Sequence, residues 1–154
     1  MMLNRSNDAE LDFDFEKVTE KSKDNPVFYV QYAYARINSI FRILKIKLDK
    51  KIIIKNNEFV LNKYEIEILR KISEWPKCVD LASSKLEPHR IPFYLYDLVT
   101  FFHSYWNAGN DNHELRFVSK DGSLNKSRLI LLQSLAIVIK NGMTILGVSA
   151  PSSM

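Results

Sequence analysis

The chain has 154 residues, of which 46% are hydrophobic, with four glycines, five prolines, one cysteine and a net charge of +4. That length suits one domain able to bury its own core, and so few chain breakers exclude a β-sandwich or a disordered chain. Cys78 alone cannot form an internal disulfide, the N-terminus lacks a basic segment leading into an apolar run, and no stretch nears about 18 uninterrupted apolar residues.

These features predict a soluble, cytoplasmic, all-α protein with no membrane role. In chain order, residues 1–23 are expected to be a linker. Glu10, Asp12 and Asp14 alternate there with Leu11, Phe13 and Phe15, a pattern that suits a short extended segment. Residues 24–154 are expected to form a helical bundle. Asp24 and Asn25 are candidate caps and Pro26 suits a first turn. Val27, Val30, Tyr34, Ile37, Phe41, Leu44 and Leu48 then step by three and four, predicting a core stripe sustained for about six turns. Ile52, Ile53 and Ile54 read as a short extended connector ended by Asn56-Asn57.

Asn62 can cap a second helix running through Trp75, with Tyr64, Ile68, Leu69 and Ile72 inward. Pro76 opens a short third helix whose apolar positions are Val79, Leu81, Ala82 and Leu86. Pro88 and Pro92 flank the start of a fourth, with Ile91, Leu95, Leu98, Phe102 and Tyr105 as its seam and a stop near Gly109. Asp121-Gly122 marks a turn and Ser123 a cap. The last helix carries Leu124, Leu131, Leu132, Leu135, Val138 and Ile139 and is expected to end at Asn141-Gly142. The tail from Met143 to Met154 holds no charged side chain and is expected to dock on the bundle. The sum is a bundle of about five helices with short loops.

Charge is unevenly spread. Residues 1–26 hold four basic and seven acidic side chains, leaving 18 basic against 11 acidic beyond them. Arg42, Lys45, Lys47, Lys50, Lys51 and Lys55 cluster against Asp49 alone. Such a run attracts a polyanion such as RNA or is simply a solvated face.

No catalytic constellation is legible. A Gly-rich phosphate loop and zinc-type cysteine pairing are absent. His89, His103 and His113 are scattered, and His103 beside Asn107 reads as a packing or surface residue rather than a general base. Cys78 has no histidine near it in sequence. Glu10, Asp12 and Asp14 on a strand share one solvent face and need no metal.

The first long helix has a second face. At about 100° per residue, Tyr29, Tyr32 and Arg36 lie within about 60° of each other, away from the core stripe. Aromatic rings offer stacking surfaces for unpaired bases, and a guanidinium binds phosphate or a base edge. The alternative is a central helix buried on both sides, with Ala33, Ile40 and Ile43 covering this face.

Three blocks carry a resemblance. NDAELDFDF followed by KDNPVFYVQYAYAR, with Asn25-Pro26, Tyr29, Gln31, Tyr32 and Arg36, closely resembles the junction of catalytic and C-terminal domains in bacterial arginyl-tRNA synthetases. Residues 88–109 contain Leu95-Tyr96-Asp97-Leu98 ahead of Trp106-Asn107 and resemble a helix of the same family. LGVSAP with the terminal Met154 resembles its C-terminus.

The resemblance covers nearly the entire chain. It implies the DALR-type anticodon-binding bundle of class I synthetases, with tRNA(Arg) as partner and arginine–tRNA ligation as the parent activity. It further implies that Tyr29, Arg36 and Met154 contact or shape the anticodon loop. Gln31, Tyr32, Trp106 and Asn107 carry over either as RNA contacts or as residues that hold the helix interface. ATP and Mg belong to the catalytic part of the family enzyme, whose His-Ile-Gly-His-like and Lys-Met-Ser-Lys-like signatures this sequence lacks. The implied arrangement is a monomeric binding domain with no cofactor of its own, an excised or split piece whose partner could be the catalytic part. Ser152-Ser153 depart from the charged residues the family usually places before its last Met. The competing expectations are a protein-interaction module, docking near Phe13, Phe15 and Val18, and an inert remnant of a split gene.

Overall fold

A computed structural model describes residues 24–52, 61–118 and 126–154. The expectations for residues 1–23, for Ile53, Ile54, Lys55 and Asn56-Asn57, for the turn at Asp121-Gly122 with the Ser123 cap, and for Leu124 on the last helix lie outside the described residues. Within them the chain forms five α-helices and one 3-10 turn: α1 Pro26–Ile43, α2 Lys63–Ser73, α3 Trp75–Ser84, α4 Arg90–Asp111, the turn His113–Leu115, and α5 Lys126–Ile145.

α1 starts where the sequence places it. The Asn25 side-chain oxygen accepts from the backbone N–H of Val27 at 3.1 Å and of Phe28 at 3.3 Å, satisfying two N–H groups that have no partner inside the helix. Its end differs from expectation. Lys45 adopts φ 53°, its N–H donates to the Arg42 carbonyl and the Ile46 N–H to the Phe41 carbonyl, which is a Schellman ending. The helix therefore stops at Ile43 rather than Leu48. Leu44 and Leu48 still pack on the core, but from a loop, so the three–four spacing continued past the helix that it described.

α2 opens with a capping box in which Asn62 and Glu65 exchange side-chain-to-backbone bonds of 3.0 and 2.9 Å. It ends at Ser73, and α3 follows directly with Pro76 in its first turn. Leu86 is not an apolar position of α3. It takes the φ 55° position of a second Schellman ending and is 77% exposed.

α4, about 33 Å long, runs through the middle of the molecule and packs against all four other helices. Its seam of Ile91, Leu95, Leu98, Phe102 and Tyr105 is buried as expected. α5 passes straight through Asn141-Gly142 to Ile145. Gly142 is there for close approach rather than termination: a Cβ would sit 2.8 Å from Cδ1 and 2.9 Å from Cδ2 of Leu95 on α4. α5 is long and apolar enough by composition to cross a membrane, but it contributes Leu131, Leu132, Leu135, Ala136 and Ile139 to the bundle core.

Beneath the α2–α4–α5 junction Glu65 is 1% exposed. Its carboxylate accepts from the Tyr105 hydroxyl at 2.6 Å and from Arg128 Nε at 2.8 Å, so the buried charge is paired and hydrogen-bonded. The C-terminal tail turns at Gly147, φ 68°, and lies along α1. There Gln31 Nε2 donates to the Ser149 carbonyl at 2.9 Å and Arg42 to the Ser152 carbonyl at 2.7 Å. Leu146, Val148 and Ala150 cover the core edge, as the uncharged tail predicts.

Candidate nucleic-acid interface

The pairing of α1 with α4 brings together side chains as distant in sequence as Arg36 and His103, 67 residues apart. Positions 29, 32, 36, 40 and 43 of α1 share one stripe at 3.6 residues per turn. α4 sets His103 and Trp106, neighbours on one helical face, against that stripe. The Arg36 guanidinium lies over the Tyr32 ring, 4.3 Å from its centroid, and over Trp106 at 4.7 Å. Its Nη2 donates to the Tyr32 hydroxyl at 2.8 Å and its Nη1 lies 3.3 Å from His103 Nδ1.

A guanidinium has only donors, so Nδ1 accepts and the imidazole is neutral with its proton on Nε2. The environment agrees. His103 is buried, and burial, reinforced by the Arg36 charge, lowers its pKa to about 4. Tyr29 stacks at a tilt on His103, with centroids 4.4 Å apart, and on Tyr96 at 5.3 Å. Burial raises the Tyr29 phenol above its ordinary pKa.

Neither of the two expectations for this face holds alone. Tyr29 and Arg36 are half-buried, Tyr32 is 37% exposed, and Ile43, expected as cover, is 70% exposed. The result is a pre-assembled pile of planar groups with an open edge. Beside it a cavity of about 250 Å³, lined by Ile40, Ile43, Trp106, Gly109, Arg116 and Phe117 among others, opens to solvent. Flat faces, a fixed cation and an apolar recess can stack and hold an unpaired base.

The structure thus joins Tyr29, Tyr32, Arg36 and Trp106 in one cluster. Gln31 lies on the tail side of α1, its amide holding Ser149. Asn107 and Met154 are exposed. His103 and Tyr96 are members of the cluster that the sequence reading missed. Spacing on α4, with His103 one turn ahead of Trp106, is the one signal that linked His103 to a carried-over residue.

Outside this cluster, Cys78 points its Sγ at the Arg90 carbonyl, 3.7 Å away, and burial pushes its thiol pKa up, away from the thiolate a nucleophile needs. Among the described residues no group of three or more His, Cys, Asp and Glu could hold a metal ion.

Comparison with known proteins gives the family of the chain. Residues 30–154 match the DALR anticodon binding domain. The chain is 53% identical over 154 residues to the arginine–tRNA ligase of Pelagibacter ubique and 48% identical over 160 residues to that of Brucella ovis. Both alignments cover 100% of this chain and 27% of the relative, so the chain spans about a quarter of their length. The solved arginyl-tRNA synthetase of Thermus thermophilus superposes with a TM-score of 0.73 at 28% identity, over 94% of this chain and 24% of that one. An all-helical bundle with an aromatic-and-arginine pile on its first helix, matched from Val30 to Met154, belongs to the DALR anticodon binding domain family.

Proposed function

We propose that this domain binds the anticodon stem-loop of arginine tRNA through the open edge of the Tyr32–Arg36–Trp106 pile, on behalf of an arginine–tRNA ligase whose catalysis is carried by other parts of the protein. Residues 24–154 act as the binding bundle and residues 1–23 as the junction to the catalytic part. Gln31 acts indirectly by fixing the tail, while Asn107 and Met154 border the RNA. The chain contributes recognition only.

One observation supports this reading above the others. The guanidinium of Arg36 is held between two aromatic rings by bonds to His103 and Tyr32, so the recognition surface is formed before RNA arrives. A loop base that stacks on it loses its own freedom but does not have to order the protein.

Arg36→Lys tests the idea, because lysine keeps the charge and loses the planar fork. Tyr32→Ala removes the most exposed ring. Each is expected to weaken binding of an arginine anticodon stem-loop by roughly 1–3 kcal/mol, the scale of one lost stacking contact. Folded variants that both retain full affinity in an anisotropy titration contradict the proposal.

A further inference from the structure

The described residues divide by charge in a way the fold makes spatial. Residues 61–118, which contain α2, α3 and α4, carry eight acidic and seven basic side chains. Residues 24–52 carry six basic side chains against Asp24 and Asp49, and residues 126–154 carry three basic and no acidic ones. The first group neutralises itself in part: Lys71 pairs with Glu74 and Asp97, and Arg90 with Glu87. In the second group Arg128 is spent on Glu65. Lys45, Lys47, Lys50 and Lys51 are exposed and make no ion pair among the described residues.

Nor is their loop loosely tied. The Schellman ending at Lys45 fixes its exit from α1. Gln133 on α5 then donates to the carbonyls of Leu48 at 2.6 Å and Lys50 at 2.8 Å. Lys140, two turns beyond Gln133, returns to the same face of α5 at about 100° per residue and is exposed. The loop leaves the C-terminal end of α1, the helix that carries Arg36, and Ile43, the last residue of that helix, stands about 10 Å along the axis from Arg36.

Resting on the RNA reading above, we infer that the 45–51 loop, with Lys140, is a second and separate RNA contact: a phosphate-holding surface that binds the backbone of the nucleic acid whose loop bases meet the Arg36 pile. Ammonium groups on flexible stems suit phosphate, which carries no sequence information, whereas the pile suits bases. Lysines on a pinned backbone release counterions from the RNA on binding. Each phosphate contact contributes about 0.7 to 0.9 to the slope of log affinity against log salt.

The test is the triple variant Lys47→Gln, Lys50→Gln, Lys51→Gln, titrated from low to high salt with two stem-loops of equal length, one bearing an arginine anticodon and one a different anticodon. Thermal melting checks that the variant stays folded. The salt slope is expected to fall by about two for both RNAs, with an affinity loss on the order of 100-fold at about 0.1 M salt that is the same for each. An unchanged slope overturns the inference, and so does a loss confined to the arginine stem-loop, which would make the lysines base readers. If the triple variant behaves as expected while Arg36→Lys binds as wild type, the phosphate surface stands and the pile assignment fails. The opposite pair of results removes only the phosphate surface. A wild-type domain that binds neither RNA removes both.

Discussion

Gly142→Ala isolates the contact that sets how closely α4 and α5 approach. In an unconstrained helix interior the change stabilises by about 1 kcal/mol, since alanine loses less backbone freedom on folding. Here the new methyl would stand 2.8, 2.9 and 3.1 Å from Cδ1, Cδ2 and Cγ of Leu95, whose side chain is 1% exposed. All three branch atoms are met at once, so no simple rotation clears them, and overpacking of this kind costs about 1–3 kcal/mol.

The balance is a net loss of up to about 2 kcal/mol, or roughly 2–4 °C in Tm for each kcal/mol in a chain of this size. Leu95→Ala alone should cost about 2–5 kcal/mol through its cavity. In the double variant the methyl added at position 142 occupies part of that cavity, so the loss should fall short of the two single losses combined by at least about 1 kcal/mol. Urea unfolding of the four proteins measures the cycle. Additive single effects, or a more stable Gly142→Ala protein, would refute the argument that helix approach requires this glycine.

Other outcomes follow from the same geometry. Lys45→Gly and Leu86→Gly each replace a side chain held at positive φ, a conformation costing about 1–2 kcal/mol in a non-glycine residue. After glycine's greater unfolded-state entropy is set against this, each should gain about 0.5–1 kcal/mol in chemical denaturation; a loss would contradict the assigned helix endings. His103 has a folded pKa of about 4 against 6.5 when unfolded, so as pH falls the unfolded chain takes up the proton first. The stability it confers by staying neutral is complete above about pH 6.5 and is lost towards about pH 4, about 3 kcal/mol in all. His103→Gln should therefore flatten the stability profile between those limits, and a constant gap between variant and wild type across the window would exclude a neutral buried imidazole.

The residues differ in how far ahead of the structure they could be read. The α4 seam was legible because a helix that touches four neighbours and keeps one solvent face still places its buried groups at three–four spacing. α1 began as expected because capping is local chemistry, two bonds from Asn25. Its end was not, since Leu44 and Leu48 keep the spacing while the Lys45 turn carries them to the core by another route. Gly142 was read as a stop because the signal for helix termination is glycine itself, and nothing near it in sequence announces Leu95. Within the candidate interface, Tyr29, Tyr32 and Arg36 were legible as one helical face. His103 was not, because its role depends on a contact across 67 residues and on burial that shifts its protonation. Trp106 came by resemblance, and its stacking on Arg36 could not have been found from spacing.

The two tryptophans offer the most direct measurement of the central claim. Trp106 stacks on Arg36 at the proposed RNA edge, whereas Trp75 packs on Tyr94 at the start of α3. In a nitrogen-15 titration with an arginine anticodon stem-loop, the Trp106 indole N–H signal is expected to shift with the binding isotherm while that of Trp75 stays in place. Saturable binding that moves Trp75 and leaves Trp106 untouched would contradict the claim that looped-out bases meet this protein at the Arg36 pile.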